Sequence, residues 1–597
     1  MSNWLVYIKK YKKEAALAPL FKLLEAVFEL FVPLVMGRII DEGIGGEDLG
    51  LILRMGLVLL LLAAVGLTVS LTAQYFAAKA AVGTASALRK AVFDRIMELD
   101  YTGVDRVGTS TLIARMTSDI NQVQSGINMT LRLFLRSPII VLGAMIMAFT
   151  IDVRSGLIFA VAIPALALVV YGIMLLTMSG QRKVQGHLDK VLGSTREYLA
   201  GARVIRAFHR EEQELQKFSG ENSLLTESQT RVARVGAVTN PVTYLIVNGA
   251  IIYLIYTGAL RVNAGDLTQG QVVALLNYMN QILVELVKLA NLIVTISKAL
   301  ACGKRVGDVL DLPVEDERKD EAGENIAALQ PGVRGSATAD SGDTSAAVGV
   351  PYLQFDHVSL TYEGAGAETL KDISFMANRG DTVGIIGGTG SGKTSLINLI
   401  PGFYHATEGS VLLEGRNVAE IPEEELRSRI GLVPQKAVLF GGTIRSNMKW
   451  SNPNATEEQI WRAIRRAQAE AVVLDKPGGL DTRVSPSGKN FSGGQKQRLT
   501  VARALVRDPE ILILDDSSSA LDYLTESRMR AAIAELKDTT KIIVSQRASA
   551  IMHADVIVVL DEGVVVGLGT HEQLLETCDV YREIYESQFE KAQSAFS

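Results

Sequence analysis

The chain has 597 residues, of which 48% are hydrophobic and 21% are charged, a composition that excludes disordered and fibrous proteins. Its formal net charge is −5, and it has no long basic tract, so we expect no nucleic-acid partner. Its two cysteines, Cys302 and Cys578, lie far apart in the sequence. This spacing argues against both a disulfide framework and a cysteine-based zinc site.

Charge is distributed unevenly along the chain. Residues 1–312 contain 31 Lys and Arg against 24 Asp and Glu, whereas the remainder contains 29 against 41. The first part is therefore net basic and the second part net acidic, and we expect them to lie in different surroundings.

The first part contains apolar stretches of about 20 residues, which as helices are long enough to cross about 30 Å of hydrocarbon. A soluble protein with so many of these stretches needs far more amphipathic partner sequence than this part offers. We therefore predict a membrane domain in a lipid bilayer over residues 1–312. Its six predicted spanning helices cover residues 15–40, 51–78, 133–150, 155–178, 241–262 and 269–296.

The loops predict the orientation of these helices. Residues 41–50 contain four acidic residues and no basic one, whereas residues 81–132 and 180–234 contain six and ten basic residues. Because Lys and Arg concentrate on the cytoplasmic side, we expect both termini to be cytoplasmic. Apolar residues recur at helical spacing in 88–99 and 191–208, which predicts that spanning helices continue well into the cytoplasm.

A change in composition separates this domain from the next. Residues 313–350 are rich in Glu, Asp, Gly, Ala and Ser, which is typical of a flexible linker. We predict a second domain at residues 351–590.

The clearest pattern in the second domain is a phosphate-binding motif. A short apolar strand at 382–386 runs into a motif of the form G-x-x-x-x-G-K-[ST], and a predicted helix at 395–400 follows. The motif consists of Gly387, Gly388, Thr389, Gly390, Ser391, Gly392, Lys393 and Thr394. Its glycines let backbone N–H groups close around a phosphate chain, Lys393 reaches the outer phosphates, and Thr394 can hold Mg²⁺.

Two further motifs follow in the same domain. A run of four apolar residues at 511–514 is followed directly by Asp515, which occupies the position of an aspartate that binds Mg²⁺. Between the two motifs, Phe491 and the run Ser492, Gly493, Gly494 and Gln495 precede an amphipathic helix at 496–506. In this order, the motifs resemble those of the half-transporters of the ABC exporter family, and the resemblance covers nearly all of the chain apart from the linker.

This resemblance implies a multi-domain membrane protein, with a six-helix α transmembrane domain joined to an α/β P-loop ABC ATPase domain. It implies ATP and Mg²⁺ as cofactors. Tyr362 occupies the position of an aromatic that stacks on adenine, and Ser395 follows the phosphate loop. Gln435 is similar to the glutamine that senses Mg²⁺, so the implied metal-binding residues are Thr394, Gln435 and Asp515.

Other implied roles concern a second subunit. The run from Ser492 to Gln495 resembles the signature motif, which contacts the γ-phosphate of ATP held by the opposite subunit. Asp522 lies in a segment similar to the D-loop. Residues 110–119 and 197–210 are similar to the intracellular loops whose short helices dock on the ATP-binding domains.

Two catalytic positions depart from the family pattern. Asp516 replaces a glutamate that orients or deprotonates the attacking water, and its side chain is shorter by roughly 1.5 Å. A displacement of about 1 Å at a reacting centre lowers a rate on the order of 100-fold. Gln546 replaces the switch-loop histidine and can donate a hydrogen bond but cannot carry a proton. Because both departures affect the same nucleotide, we expect a degenerate ATP site.

An asymmetric pair explains this combination better than a homodimer does. The intact signature serves the other nucleotide, so we expect hydrolysis mainly at a composite site with a partner half-transporter. A homodimeric exporter stays open as an alternative.

Acidic and amide side chains inside predicted spanning helices point to a substrate pathway, because such groups usually face a cavity or a partner. Glu25 and Glu29 lie on the first helix, and Asn277, Gln281 and Glu285 lie on the sixth. If these acids line the pathway, they favour cationic amphipathic substrates.

A simpler interpretation pairs the acids with basic residues one turn away. Glu25 then neutralises Lys22, and Glu285 pairs with Lys288. Glu29 has no basic residue within one turn of its own helix.

We predict ATP-driven export of small amphipathic molecules, multidrug-type or lipid-like, across a bacterial cell membrane. A siderophore or peptide transporter on the same fold is an alternative. A channel gated by ATP also fits a weak hydrolytic site.

Overall fold

The structure is a computed structural model that describes residues 3–312, 350–517 and 520–594. Its contacts divide the chain into two units. The first consists of Met1–Leu99 and Val107–Val314, and the second of Asp100–Arg106 and Glu315–Ser597. The predicted linker at 313–350 lies outside the described residues, except for Val350.

The first unit is built from helices. Their bounds are Lys12–Arg38 (α1), Leu49–Glu98 (α2), Tyr101–Val107 (α3, which extends into the second unit), Thr109–Ala114 (α4), Ile120–Leu133 (α5), Arg136–Ile151 (α6), Val153–Ala207 (α7), Glu211–Ala237 (α8), Thr239–Asn263 (α9) and Gln269–Leu310 (α10). Each of the six predicted spans is helical over most of its length. With 50 residues in α2 and 55 in α7, these two helices are far longer than a bilayer requires.

Within the described residues, four helical stretches are long and apolar enough to cross a membrane. They are Leu49–Glu98, Thr109–Ile151, Val153–Ala207 and Glu211–Asn263. Helices α1 and α10 are long but do not meet this criterion, and both contain charged side chains that lower their hydropathy. Their crossing of the membrane stays a prediction.

The end of α1 lies against the start of α10. The Asp41 carboxylate accepts hydrogen bonds from the Thr268 hydroxyl at 2.5 Å and from the Gly270 backbone N–H at 2.6 Å. A Cβ atom on Gly270 would lie 2.0 Å from the Gly37 carbonyl oxygen. The two backbones therefore approach so closely that α10 requires glycine at this position.

The second unit is an α/β domain with two main sheets. Its strands are Leu353–Leu360 (β1), Leu370–Ala377 (β2), Thr382–Gly387 (β3), Glu408–Leu413 (β4), Arg416–Asn417 (β5), Ile430–Val433 (β6), Gly442–Thr443 (β7), Arg483–Val484 (β8), Ile511–Asp515 (β9), Thr540–Val544 (β10), Val556–Asp561 (β11) and Val564–Gly569 (β12). An antiparallel sheet has the order β2-β1-β4-β5, and a six-stranded sheet has the order β12-β11-β3-β10-β9-β6. In the six-stranded sheet only β12 pairs antiparallel.

Helices complete the second unit. They are Lys393–Leu399 (α11), Glu423–Arg429 (α12), Ile444–Met448 (α13), Glu457–Arg466 (α14), Glu470–Leu474 (α15), Gly493–Leu505 (α16), Tyr523–Ala534 (α17), Ala548–Ile551 (α18), His571–Thr577 (α19) and Asp579–Ser594 (α20). Two of them begin earlier than predicted. Gly392 has a left-handed φ of +94° immediately before α11, and Ser492 caps α16, so both motifs lie at helix N-termini.

Candidate nucleotide site

The site lies where three neighbouring parallel strands end. The phosphate loop follows β3, Asp515 ends β9, and Ser545 and Gln546 follow β10. Strands β3 and β9 both pair with β10. Because ligands of open α/β sheets bind outside the carboxyl ends of the strands, this edge is where a nucleotide is expected.

A cavity of about 240 Å³ opens at this edge. It is lined by Thr369, Thr389, Gly390, Gly392, Lys393, Thr394, Ser395, Gln435, Asp515, Asp516, Val544, Ser545 and Gln546. Motifs separated by more than 150 residues in the sequence therefore surround one space. Of the residues predicted to hold this chain's nucleotide, Tyr362, Gly387, Gly388 and Ser391 are outside this lining.

The Lys393 ammonium folds back onto the phosphate loop. It donates hydrogen bonds to the carbonyl oxygens of Gly387 at 2.9 Å and Gly388 at 2.5 Å, and Ser391 Oγ lies 3.3 Å away. Burial lowers the pKa of Lys393. A phosphate anion is a stronger partner for this ammonium than neutral carbonyl groups are, so the loop is suited to bind one.

Thr394 and Asp515 supply oxygen atoms suited to Mg²⁺. The Thr394 hydroxyl donates a hydrogen bond to the Asp515 carboxylate at 3.2 Å. Asp515 is 5% exposed, and burial raises the pKa of its carboxyl group. A cation stabilises the ionised form of such a buried acid, and hydroxyl and carboxylate oxygens are ligands that Mg²⁺ prefers. These residues therefore fit the metal that the sequence predicts, and Gln435 is in the same lining.

Asp516 and Gln546, the two residues that depart from the family pattern, border this cavity. Asp516 has a left-handed φ of +44°, and its N–H donates to the Val544 carbonyl at 3.0 Å. Burial raises the pKa of Asp516, although a hydrogen bond with Gln435 opposes this effect. The Gln546 carbonyl oxygen accepts a hydrogen bond from Gln588 at 2.8 Å, which fixes the backbone of the switch position.

Tyr362 reaches the phosphate loop indirectly. Its hydroxyl donates to Ser395 Oγ at 2.9 Å, and its ring meets Tyr404 edge-on at a centroid distance of 5.0 Å. The Tyr404 hydroxyl in turn donates to the Asp105 carboxylate at 2.6 Å, and Tyr101 stacks near Phe403 with centroids 4.3 Å apart. The segment Asp100–Arg106 thus packs within the second unit, slightly before the predicted docking loop at 110–119.

The signature residues are arranged as a helix cap. Ser492 Oγ accepts from the Gln495 N–H at 3.3 Å, and Gln495 Oε1 accepts from the Ser492 N–H at 3.0 Å. Gly494 lies close to the Ala520 backbone, because an added Cβ would be 2.9 Å from its carbonyl oxygen. These residues are outside the lining of the cavity at the phosphate loop.

Gln497 is a structural link that the sequence did not reveal. Its Nε2 donates to the Asp516 carbonyl oxygen at 3.2 Å, and its Oε1 accepts from the Ala520 N–H at 3.2 Å. Its side chain is buried at 3% exposure. Gln497 therefore links the signature helix to the strand end next to Asp516. A polar residue on the buried face of α16 is the sequence signal that identifies it.

The predicted D-loop residue Asp522 caps α17, because its carboxylate accepts a hydrogen bond from the Thr525 N–H at 3.0 Å.

The acidic residues predicted to line the substrate pathway form ion pairs. Arg136 donates to Glu285 at 2.7 Å and to Glu29 at 2.6 Å. Lys22 donates to Glu25 at 2.5 Å, and Lys288 donates to Glu285 at 2.8 Å. The basic partner of Glu29 thus comes from another helix, and the pairing of Glu25 and Glu285 with residues one turn away is present.

The two amides of this set are arranged differently. Asn277 is exposed and donates to the Val273 carbonyl of its own helix at 3.1 Å. Gln281 Oε1 is buried and has no hydrogen-bond partner within the described residues. The five pathway candidates therefore do not present a shared set of unpaired acidic groups.

Comparison with known proteins agrees with this architecture. Residues 16–286 match the family model described as ABC transporter transmembrane region, and residues 370–519 match the model described as ABC transporter. A solved structure of a bacterial Atm1-family ABC exporter with ATP bound superimposes with a TM-score of 0.73 at 23% identity. The alignment covers 97% of this chain and 98% of that one, so the two share a fold.

Two curated relatives extend over the whole chain. The uncharacterized ABC transporter ATP-binding protein YfiB of Bacillus subtilis is 33% identical, over 99% of each chain. The ATP-dependent lipid A-core flippase of Salmonella typhimurium is 28% identical, also over 99% of each chain. Together with the phosphate loop, Asp515 and the signature helix, these matches show that the chain belongs to the ABC transporter family, as an exporter-type membrane protein that carries its own ATPase domain.

Proposed function

We propose that this chain exports small amphipathic molecules, multidrug-type or lipid-like, as one half of a heterodimeric transporter that uses ATP and Mg²⁺. The exporter fold and the lipid flippase among its relatives support the transported class. The loop charges support a bacterial cell membrane protein with both termini in the cytoplasm.

One observation carries the asymmetric part of the proposal. Asp516 and Gln546 border the same cavity as Lys393, Thr394 and Asp515. The chain therefore retains groups that bind phosphate and Mg²⁺, but the two groups beside them are poorly suited to activate water. Gln546 cannot take up a proton, and the Asp516 carboxylate is one methylene shorter than the glutamate of the family.

The intact signature supports a partner subunit. Ser492 and Gln495 cap α16 reciprocally, so the motif lies at a helix N-terminus, where a phosphate can bind. In our proposal this signature completes a partner's ATP site, where most hydrolysis takes place. ATP binding closes the two ATPase domains as a population shift, and hydrolysis at the partner's site reopens them.

The mechanism assigns separate tasks to this chain's own residues. Bound Mg²⁺ would offset the negative charge of the phosphates, and Thr394 and Asp515 would hold it. The backbone of the phosphate loop and Lys393 would orient the nucleotide, and Tyr362 would face the adenine. Asp516 would hold a water molecule too far from the phosphate for fast attack, so the nucleotide stays bound for longer than at the partner's site.

A gain-of-function variant tests the degenerate site. The double substitution Asp516→Glu and Gln546→His restores the family residues, and we expect it to accelerate hydrolysis at this site on the order of 100-fold. ATPase activity is measured on the full-length chain in lipid nanodiscs, alone and after co-purification with its partner. Binding of a fluorescent ATP analogue should change little, because Lys393 and the phosphate loop are untouched.

Lys393→Ala added to the double variant is the matched control, and it should abolish the gain in activity. If the unmodified chain alone already hydrolyses ATP as fast as the double variant, the degenerate site is refuted and the homodimeric exporter is favoured. ATP-dependent accumulation of an amphipathic dye in inverted vesicles separates a pump from an ATP-gated channel, because only a pump concentrates the dye.

A further inference from the structure

Two adjoining cavities lie along α7 and α10 of the membrane unit, and the second also reaches Gly236 of α8 and Thr239 of α9. The first, which we call the apolar chamber, has a volume of about 440 Å³ and only apolar or aromatic lining residues, among them Leu168 and Leu289. The second, the polar chamber, has a volume of about 690 Å³. Val170, Met174 and Ala290 line both chambers, so the two form one continuous space.

The lining changes character along this space. On α7 it passes from Pro164 in the apolar chamber to Gln185 at the far end of the polar chamber, a distance of roughly 30 Å at the helical rise. Beyond the junction, the polar side chains of Thr177, Gln181 and Asn291 line the polar chamber together with apolar residues such as Met178 and Val294, and the cations Arg182 and Lys298 lie farther along the same two helices. An apolar half followed by a polar half is the pattern of an amphiphile, with the length of a lipid chain and its headgroup.

The charge of the lining has one sign. Arg182 and Lys298 line the polar chamber, and its lining contains no Asp or Glu. Within the described residues neither cation forms an ion pair, in contrast to Lys288, which pairs with Glu285. The acid nearest to this end on α7 is Asp189, which accepts a hydrogen bond from Gln185 at 3.3 Å but lies outside the lining.

The acids of the neighbouring helices do not offset these two cations. Glu285 is on α10 but is 1% exposed and faces Arg136 and Ser137. Glu29 is likewise bound to Arg136. The negative charges that predicted a preference for cations are thus neutralised by partners, whereas the positive charges of the polar chamber are not.

We propose that the joined chambers bind an amphiphile with an anionic headgroup, its apolar tail in the apolar chamber and its headgroup at Arg182 and Lys298. This inference rests on the proposed export function and names its substrate class. Carboxylate, phosphate and sulfate headgroups share the required chemistry, because each accepts charge-assisted hydrogen bonds from guanidinium and ammonium groups. A cationic amphiphile of the same tail length would meet like charge at the same place.

The test measures binding without nucleotide, so it does not depend on transport. The full-length chain in nanodiscs of uncharged lipid is titrated with dodecyl phosphate, dodecyl maltoside and dodecyltrimethylammonium below their micelle concentrations. We expect dodecyl phosphate to bind about tenfold more tightly than the cationic probe, and to lose this advantage at high salt. The double variant Arg182→Gln and Lys298→Gln should lose about tenfold in affinity for dodecyl phosphate alone.

Two control variants separate charge from folding. Lys183→Gln removes the basic side chain adjacent to Arg182, which is outside the chamber lining, and should leave all three affinities unchanged. Ala290→Trp fills the junction of the chambers and should weaken all three probes, whatever their charge.

Equal or tighter binding of the cationic probe, or unchanged dodecyl phosphate affinity in the double variant, would overturn the proposal. Failure of all three probes to bind would overturn it too. Selective binding that passes every control, combined with no ATP-dependent transport of dodecyl phosphate in vesicles, would leave this site standing and defeat the proposed export function instead.

Discussion

Replacement of Arg136 by methionine should destabilise the membrane unit strongly. The Arg136 side chain is 10% exposed and contacts the side chains of Glu285 at 2.7 Å and Glu29 at 2.6 Å. Its loss leaves Glu285, whose side chain is 2% exposed, with Ser137 and Lys288 as its partners among the described residues. Removal of one member of a buried ion pair typically costs about 3–5 kcal/mol, because the remaining charge stays buried without full compensation.

The loss of stability in Arg136→Met is measured by SDS-induced unfolding of the purified chain, monitored by circular dichroism. The matched control is Arg38→Met, which removes an arginine that pairs with Glu42 at the surface, where both side chains are more than half exposed. That change should cost no more than about 1 kcal/mol.

A second substitution tests the physical reason. Arg136→Met combined with Glu285→Leu removes the stranded charge, so the double variant should be more stable than Arg136→Met alone. A cost for Arg136→Met no larger than that of Arg38→Met would refute the buried network. The charge argument would be refuted if the double variant lost more unfolding free energy than the two single variants lose together.

Three further predictions concern other parts of the chain. Burial raises the pKa of Asp515 above its unfolded value, so the folded state holds the proton more tightly than the unfolded state does. The stability of the nucleotide-free protein therefore falls as pH rises from the unfolded pKa of about 4 through the raised folded pKa; thermal unfolding should show that Asp515→Asn weakens this dependence and is more stable at neutral pH. Gly270→Ala places a Cβ 2.0 Å from a carbonyl oxygen of α1 and should cost about 1–3 kcal/mol in SDS unfolding, whereas Gly249→Ala, whose Cβ meets nothing within 4 Å, should not. Tyr404→Phe removes the hydrogen bond to Asp105 and should reduce the stimulation of ATPase activity by transported substrate while leaving ATP affinity unchanged.

The sequence predicted those features that depend on local patterns. The apolar stretches that are long enough to span a membrane are helical in the structure, since a helix satisfies its own backbone hydrogen bonds. The phosphate loop and Asp515 border one cavity, because both lie at the carboxyl ends of parallel strands, which meet at one edge of the sheet. These features need only residue order and the rules of secondary structure.

Contacts between distant segments were not predictable in this way. Arg136 reaches Glu285 across 149 residues, and no local pattern indicates which helices pack together. The same applies to the partners of Gln497, whose side chain donates to the Asp516 carbonyl and accepts from the Ala520 N–H, since every residue type except proline carries both of these backbone groups. The pairing of Glu29 with Arg136 weakens the hypothesis of a pathway that favours cationic substrates, which the sequence analysis kept beside the simpler interpretation of paired acids.

The composition and turnover of the native complex test the central claim most directly. The chain is purified through an affinity tag, in mild detergent, from the cells that naturally produce it. Native mass spectrometry then determines which subunit it is paired with, and the ATPase rate of the same sample is measured. We expect one copy of this chain with one copy of a different half-transporter, and hydrolysis that falls to near zero when the partner's catalytic glutamate is changed to glutamine but only partly with Asp516→Asn. A complex of two identical copies that hydrolyses ATP rapidly would contradict the account.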